Sequence, residues 1–445
     1  MKRLATLCTV LILAASCHKD EIREDSYALF DDRNLPELTV SFSQGEWNRL
    51  LSLYDADNHT KEYVRCNVSL KDGDKSCEVR DAGLRLRGQT SRRRPQVKGS
   101  SKMQHFHAGL HFCKFSENRQ EIAGYRRVNL KYAKEDPTHI REHYCYDLLS
   151  RYGVWTAPRS SWCRLYLDTG QKRCYYGAYL MVESIDKQFI QKRRQFGSAD
   201  GFLWKCAWGA NLRDTKSKLF HLDDDSSATY AYELKEDRAE DFFAAKAQII
   251  DFITKLNDLY GDEFRDWISK VCDVELLLRT YAVNVAVGHW DDYWNNMNNF
   301  YLYFNSRDEQ DYRVYMICFD YDNTLGTSHD CGVQHDSGRH DPYKWGLSDC
   351  LLIRKILTIS EYRDMYTGFL KELAAEGSPL FGYDASVSRI REWQKLIEPA
   401  LPNDTGEDET IADRPASWGN HHEYRLQEDG ANNWFRVKSG VLRAL

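Results

Sequence analysis

Val314–Gly326 reads VYMICFDYDNTLG: an apolar run that ends in Asp320-Tyr321-Asp322 and then turns away through Asn323-Thr324-Leu325-Gly326. Alternate residues of an extended segment share a side, so Asp320 and Asp322 project together. Two chemistries use such a pair. In one, a nucleophilic aspartate is followed two residues later by an acid/base aspartate and then a Thr. In the other, a strand-end carboxylate hangs over the magnesium ion that holds a nucleotide, with a Gly close behind. The stretch itself is compatible with both.

Its surroundings separate them. The first chemistry belongs to haloacid-dehalogenase-type phosphatases, where the Asp-bearing strand opens a parallel sheet and a helix follows. Here Thr327–Gly346, TSHDCGVQHDSGRHDPYKWG, is a polar loop with no helical spacing. From Leu35 the chain is dominated by short β-rich runs such as ELTVSF, YVRCNVSL and HFHAGLHFCKF. Ser43 is placed to start a helix over SQGEWNRLLSLY, and DPTHIREHYCYDLLSRYG reads as a helix closed by Gly153. Residues from about 238 to 288 and from 351 to 398 carry helical spacing, with a hairpin between them. The order predicts an α+β fold with a β-rich N-terminal half and a helical C-terminal half, not a doubly wound sheet.

Before the hairpin stands VNVAVGHWDDYWNNMNNFYLYFN. Phosphoryl transfer requires an Asp near the acceptor hydroxyl and an Asn and an Asp on the metal. Asp291, then Asn296 or Asn299, then the hairpin, then Asp320 and Asp322 follow that order. Each residue alone is a common turn-former. The ordered set is more specific.

These residues carry a family resemblance. The chain resembles the CotH kinase family from about Leu38 to its C-terminus. The matching segments are GLRLRGQTS, YYGAYLMVESID, GFLWK, NNFYLYF, MICFDYDNTLG and LLIRKILTISEYRDMY. The resemblance implies a divergent protein-kinase-like fold over residues 35–445, N-lobe-like to 235 and C-lobe-like from 236, with a metal-binding hairpin. It implies ATP with Mg²⁺ (or Mn²⁺) held by Asp320, Asp322 and Asn299, with Asp291 and Asp320 catalytic. Arg87, Gly88, Lys102, Glu183 and Lys205 would bind the nucleotide, Glu183 by pairing with a basic residue there. The backbone after Arg87-Gly88, with the Ser91–Arg94 run SRRR, would cradle phosphates. The implied acceptor is a protein Ser or Thr.

One segment departs from the family pattern. The phosphate-binding Lys after the Arg-Gly loop is displaced by the stretched segment RRRPQVKGSSKMQHFHAGLHF. Lys98 or Lys102 could substitute, and Lys102 lies nearest the strand. Loss of that Lys would instead leave an inactive pseudokinase acting as a surface binding protein. Transfer of AMP or another ATP-derived group is a third reading.

Lys2 and Arg3 precede the apolar run LATLCTVLILAAS, too short to span a bilayer lastingly, which ends at Cys17. Residues 1–16 read as a lipoprotein signal peptide, Cys17 as the lipidated first mature residue, and residues 17–34 as a polar tether. The following HKDE resembles a surface-export signal, so the expected location is the outer membrane, facing outward, with membrane lipid as a partner through Cys17. A net charge of −6 gives no nucleic-acid footprint.

No CxxC occurs among the 13 Cys, which disfavours a Cys-pair zinc site. Cys66/Cys77 and Cys163/Cys174 flank two hairpins and could oxidise across them, or serve as small buried hydrophobes. His329, His335 and His340 each precede an Asp; a solvated loop is preferred there to a second metal site. Trp155, Trp162, Trp204, Trp208 and Trp393 read as core, and Gln191–Gln195 as a solvated helix face.

Overall fold

The computed structural model describes residues 29–223, 228–235, 239–327, 336–416 and 422–445. The expected signal peptide, Cys17, most of the tether, His329 and His335 lie outside the described residues.

The N-terminal part comprises β1 (Glu37–Ser41), α1 (Gln44–Ala56), β2 (Val64–Asp72), β3 (Lys75–Arg87), β4 (His107–His111), β5 (Arg127–Lys131), α2 (Arg141–Arg151), β6 (Ser160–Asp168), β7 (Arg173–Glu183) and α3 (Lys187–Gln191). Its strands form a closed barrel in the order β1-β2-β3-β4-β5-β7-β6. Closure comes from parallel pairing of β1 with β6, Glu37 opposite Arg164. Alternation fills the interior: Val40, Val68, Leu84, Leu110, Leu165 and Leu167 are buried. Each such side chain contributes about 1.5–3 kcal/mol of transfer free energy. As its spacing predicts, α1 starts at Ser43, whose hydroxyl accepts from Glu46 N at 3.2 Å.

The second part begins with β8 (Phe202–Cys206), β9 (Phe220–Leu222) and β10 (Tyr232–Leu234). Then come α4 (Phe242–Asp258), α5 (Gly261–Val271), α6 (Val274–Val287), the short α7 (Tyr293–Asn296), and the hairpin β11 (Phe300–Phe304) and β12 (Val314–Cys318). Helices α8 (Leu351–Ile356), α9 (Ser360–Leu373), α10 (Tyr383–Ile397) and α11 (Trp434–Arg443) complete the described chain. The hairpin joins a five-stranded sheet ordered β12-β11-β8-β10-β9, which takes strands from both sides of residue 235. The fold is therefore mixed α/β, with a barrel and a second sheet backed by helices. No described helix is long and apolar enough to cross a membrane.

Three expectations are corrected. The hairpin cysteines do not face each other: Cys77 pairs with Leu70 and Cys66 with Ala82, while Cys174 pairs with Leu167 and Cys163 with Tyr179. None of the four is joined in a disulfide among the described residues. Trp208 is not core but 72% exposed, whereas Trp162, Trp204 and Trp393 are buried. Within Gln191–Gln195, Arg193 is buried rather than solvated.

Candidate functional site

The Asp320–Gly326 turn is clamped from two directions. From the barrel side comes α2. Tyr146 accepts the Asp320 N–H at 3.1 Å, and Arg141, fully buried and paired with Asp136, donates to Thr324 O at 3.2 Å. From the helical side comes α6, which Asp273 caps by accepting from Leu276 N at 3.0 Å. It ends at the left-handed Gly288 (φ +65°), where a Cβ would fall 2.6 Å from the Trp434 ring. Leu325 N donates to Val287 O at 2.6 Å and Tyr321 OH to Asn284 Oδ1 at 2.7 Å. Between the clamps Asp320 is held at φ +65°, a conformation non-glycine residues seldom adopt, and such strain concentrates at functional sites.

Lys131, the last residue of β5, reaches across the seam. Its ammonium contacts Asp320 Oδ1 and lies 2.5 Å from Glu142 Oε2 at the start of α2. Burial opposes the Lys131 charge, but the Asp320 and Glu142 carboxylates outweigh it and raise its pKa. Burial likewise works against the Asp320 carboxylate, and Lys131, helped by His107 and Arg87, overrides it and holds the pKa low. Burial, then the neighbouring Asp320 charge, pushes the Asp322 carboxyl well up. Glu142 accepts from Tyr146 OH at 3.0 Å, so one tyrosine bridges Glu142 and the Asp320 backbone. Lys131, Glu142, Asp322, Lys134 and His139 line one cavity at the seam.

Asp291 lies in the loop between α6 and β11, caged by amides. Asn296 Nδ2 donates to its Oδ1 at 2.6 Å, Asn298 Nδ2 to the same oxygen at 3.1 Å, and Asn299 Nδ2 to Oδ2 at 2.9 Å. Burial pushes the Asp291 carboxyl up to about 6 against these donors, with the Asp320 charge adding. Asn299 also stands at positive φ, +55°. Asp292 caps α7, accepting from Asn295 N at 2.9 Å.

Asp291, Asn299, Asp320 and Asp322 thus gather at one end of the second sheet, and Arg87 faces the same seam. Arg87 donates to Asn129 on β5, and Asp320 is among the charges acting on it. Gly88 is required by its turn, since at φ +101° a Cβ would lie 2.4 Å from Ser91 Oγ. The expected phosphate cradle beyond it is internally occupied. Arg92 donates to Gly88 O and Thr60 O, Arg93 pairs with Glu407 and Arg94 with Asp55.

The remaining expected residues fall elsewhere. Lys102 is exposed on a surface turn, its backbone O accepting from Val97 N at 2.9 Å, with no bond from its side chain to Asp320 among the described residues. Glu183 is buried against Arg193 at 2.6 Å; the carboxylate that pairs with the basic residue beside Asp320 is Glu142. Lys205 lies 3.6 Å from Glu233, and the charges acting on it include Arg87 across the seam. His340 bonds the Lys344 carbonyl at 3.1 Å.

Sequence reading missed Lys131 and Glu142. The available signal was a strand, RVNLK, ending in a charged residue just before a helix with Glu in its first turn. An Asp, an Asn and a Lys–Glu pair around a strand-end Asp is the set phosphoryl transfer uses. Among the described residues no three carboxylate, imidazole or thiol groups already converge as a metal cage. The donors present are nonetheless the hard oxygen ligands suited to Mg²⁺, which binds through one or two carboxylates plus substrate phosphates. The upward pressure on Asp322 is what a bound cation would relieve. The residues fit the ion.

The family model described as CotH kinase protein matches residues 84–432, and the chain belongs to that family. It is similar to the inner spore coat protein H of Bacillus subtilis, 25% identical over 273 residues, covering 59% of this chain and 68% of that protein. It is also similar to spore coat protein homolog 1 of Rhizopus delemar, 23% identical over 257 residues, covering 57% of this chain and 39% of that protein.

Proposed function

We propose that this chain is an ATP-dependent phosphotransferase of kinase-like fold that phosphorylates Ser or Thr hydroxyls of a protein. On this reading the barrel serves as the N-terminal lobe and the second sheet with its helices as the C-terminal lobe. The observation that carries it is Lys131 meeting both Glu142 and Asp320 beside the amide-caged Asp291. Asp320 and Asp322, with the amide oxygen of Asn299, would hold Mg²⁺. The ion supplies charge neutralisation of the transferring phosphoryl group.

Lys131, once shared with an incoming phosphate, orients the nucleotide against Asp320, and Glu142 keeps the ammonium aimed at the seam. Arg87 offers a planar guanidinium to the outer phosphates. Asp291 accepts the acceptor's hydroxyl proton as the acceptor oxygen bonds to the γ-phosphorus and the bond to the ADP oxygen breaks. The three asparagines fix the carboxylate's direction. We further propose that Cys17 carries a lipid anchor holding the protein in the outer membrane, facing outward.

The test is a thermal shift with ATP and Mg²⁺ or Mn²⁺ on the wild type, Asp320→Ala and Asp322→Ala. Ligand at 100 times its Kd stabilises by about 2.7 kcal/mol, which is readily seen. A shift in the wild type and none in either variant is expected. No shift with any nucleotide would favour a non-catalytic scaffold, and a shift that survives Asp320→Ala would refute the metal assignment.

A further inference from the structure

The three residues that open α2 are each tied to a different part of the chain. Arg141 pairs with Asp136, Glu142 with Lys131, and His143 with Asp32. Ile140, in the N-cap position, supplies no side-chain hydrogen bond, so these ties fix the first turn from outside. Successive helical residues point about 100° apart, so Glu142 and His143 leave the helix in different directions.

His143 is the tie that the candidate site does not use. Its buried ring lies 4.2 Å from the Trp162 ring and edge-on to Trp393 at 4.5 Å. Its Nδ1 is 2.8 Å from Ser160 Oγ on β6, and its Nε2 is 3.4 Å from Asp32 Oδ2. The same Asp32 oxygen accepts from Trp393 Nε1 on α10 at 2.9 Å. One carboxylate oxygen thus joins α2 to α10. The residues around Asp32 are docked as well. Leu29 is buried, and its carbonyl accepts from Ser161 Oγ at 2.8 Å. Phe30 meets the Tyr125 ring edge-on at 4.9 Å. Past Asp32, Pro36 O accepts from Arg164 N at 2.8 Å, where β1 takes up its pairing with β6.

We infer that Leu29–Asp32 is a positioning strap for the candidate site, with Asp32 acting through His143 on α2. Glu142 and Tyr146 ride on that helix, where they meet the Lys131 ammonium and the Asp320 backbone. The strap touches neither nucleotide nor acceptor; it holds the helix whose side chains place Lys131 and Asp320. The ligand it serves rests on the phosphotransfer reading above. By linkage, a ligand that needs α2 in place must also tighten the strap.

The experiment uses the full chain as wild type, Asp32→Asn and Asp32→Ala. Asn keeps an oxygen that accepts from both Trp393 and His143, and Ala keeps none. Binding of ATP with Mg²⁺ or Mn²⁺ is read by calorimetry, and amide hydrogen exchange is followed with and without it. Asp32→Ala should bind ATP about tenfold more weakly, the equivalent of roughly one to two net hydrogen bonds, with Asp32→Asn near wild type. Without nucleotide, exchange in Asp32→Ala should quicken over Arg141–Tyr146 and Asp320–Gly326 and stay unchanged in α5. In the wild type, ATP should slow exchange over Leu29–Arg33. Equal ATP affinity in wild type and Asp32→Ala overturns the inference. So does a quickening spread evenly over the chain, which would leave the strap a matter of general stability. Strap amides that do not respond to bound ATP overturn it too, a result that needs no variant to fold. If the wild type binds no nucleotide, the phosphotransfer reading fails and the nucleotide-free exchange decides the strap by itself. Quickening at both segments then supports it, and quickening at neither overturns it.

Discussion

Replacing Lys131 by Met keeps the aliphatic stem and removes the ammonium between Glu142 and Asp320. The Lys131 and Glu142 side chains retain 12% and 7% of their exposure, and Asp320 retains 34%. Removing one member of a buried ion pair costs about 3–5 kcal/mol, because the partner stays buried and uncompensated. Asp320 is open enough for water to screen it, so the lower end, about 3 kcal/mol, is expected. That cost comes from the orphaned carboxylates, not from a lost attraction. Lys131→Met/Glu142→Gln should therefore recover about 1–2 kcal/mol of it, since a neutral amide can stay buried with Tyr146 as its partner. Urea unfolding followed by far-UV circular dichroism, without nucleotide, reads both differences. Two results would refute the reasoning: a single variant within 1 kcal/mol of wild type, or a double variant no more stable than the single.

Three further outcomes are expected. Gly326→Ala forces an L-residue to φ +89° with its Cβ 2.5 Å from Tyr424 Cβ; about 2–4 kcal/mol should be lost, visible as a lower melting temperature. Burial, opposed by Asp336, pushes the Lys438 ammonium down to about 7, whereas an unfolded Lys titrates near 10.4. Between those values the unfolded chain holds a proton the folded chain lacks, so wild-type stability climbs with pH. Lys438→Met should then be the more stable by about 4 kcal/mol at pH 7, less what its bond to Ser337 O contributed, with the gap mostly closed by pH 10. Among the described cysteines, maleimide applied to the native protein should label Cys77 and Cys113 first, because the other eight are buried. Peptide mapping checks this.

The residues legible in sequence were those whose role is local. The apolar run into Asp320 and Asp322, the Asn-rich turn after Gly288 and the helix starting at Ser43 each declare themselves within about ten positions. What escaped depended on partners far away in sequence. Lys131 meets Asp320 across 189 residues, and nothing in RVNLK says which sheet end that strand will face. Placing the phosphate Lys at 102 followed proximity in sequence to β4, but the stretched loop carries Lys102 out to solvent. The cysteine pairing failed for a geometric reason. Asp72 pairs with Lys75 across a two-residue turn, which centres the hairpin four positions away from the sum that would bring Cys66 to Cys77. A bulge between Cys66 and Val68 then shifts the register again. Trp208 was read as core because GFLWKCAW is apolar apart from Lys205, yet the strand ends at Cys206.

The double clamp on the Asp320–Gly326 turn makes the candidate site a joint property of both sheets. Arg141, Tyr146 and Lys131 approach from the barrel and α2, while Val287 and Asn284 approach from α6. Glu142 and Tyr146 are one helical turn apart and bonded to each other, so α2 cannot move its carboxylate without also moving the hydroxyl that receives Asp320 N–H. The Lys131 ammonium and the Asp320 backbone are thereby set by one rigid element. A displacement of α2 by even an ångström would loosen both contacts together. Occupancy of the site should accordingly order α2 and the Asp320 turn as a unit, with slowed amide hydrogen exchange in both segments at the same ligand concentration.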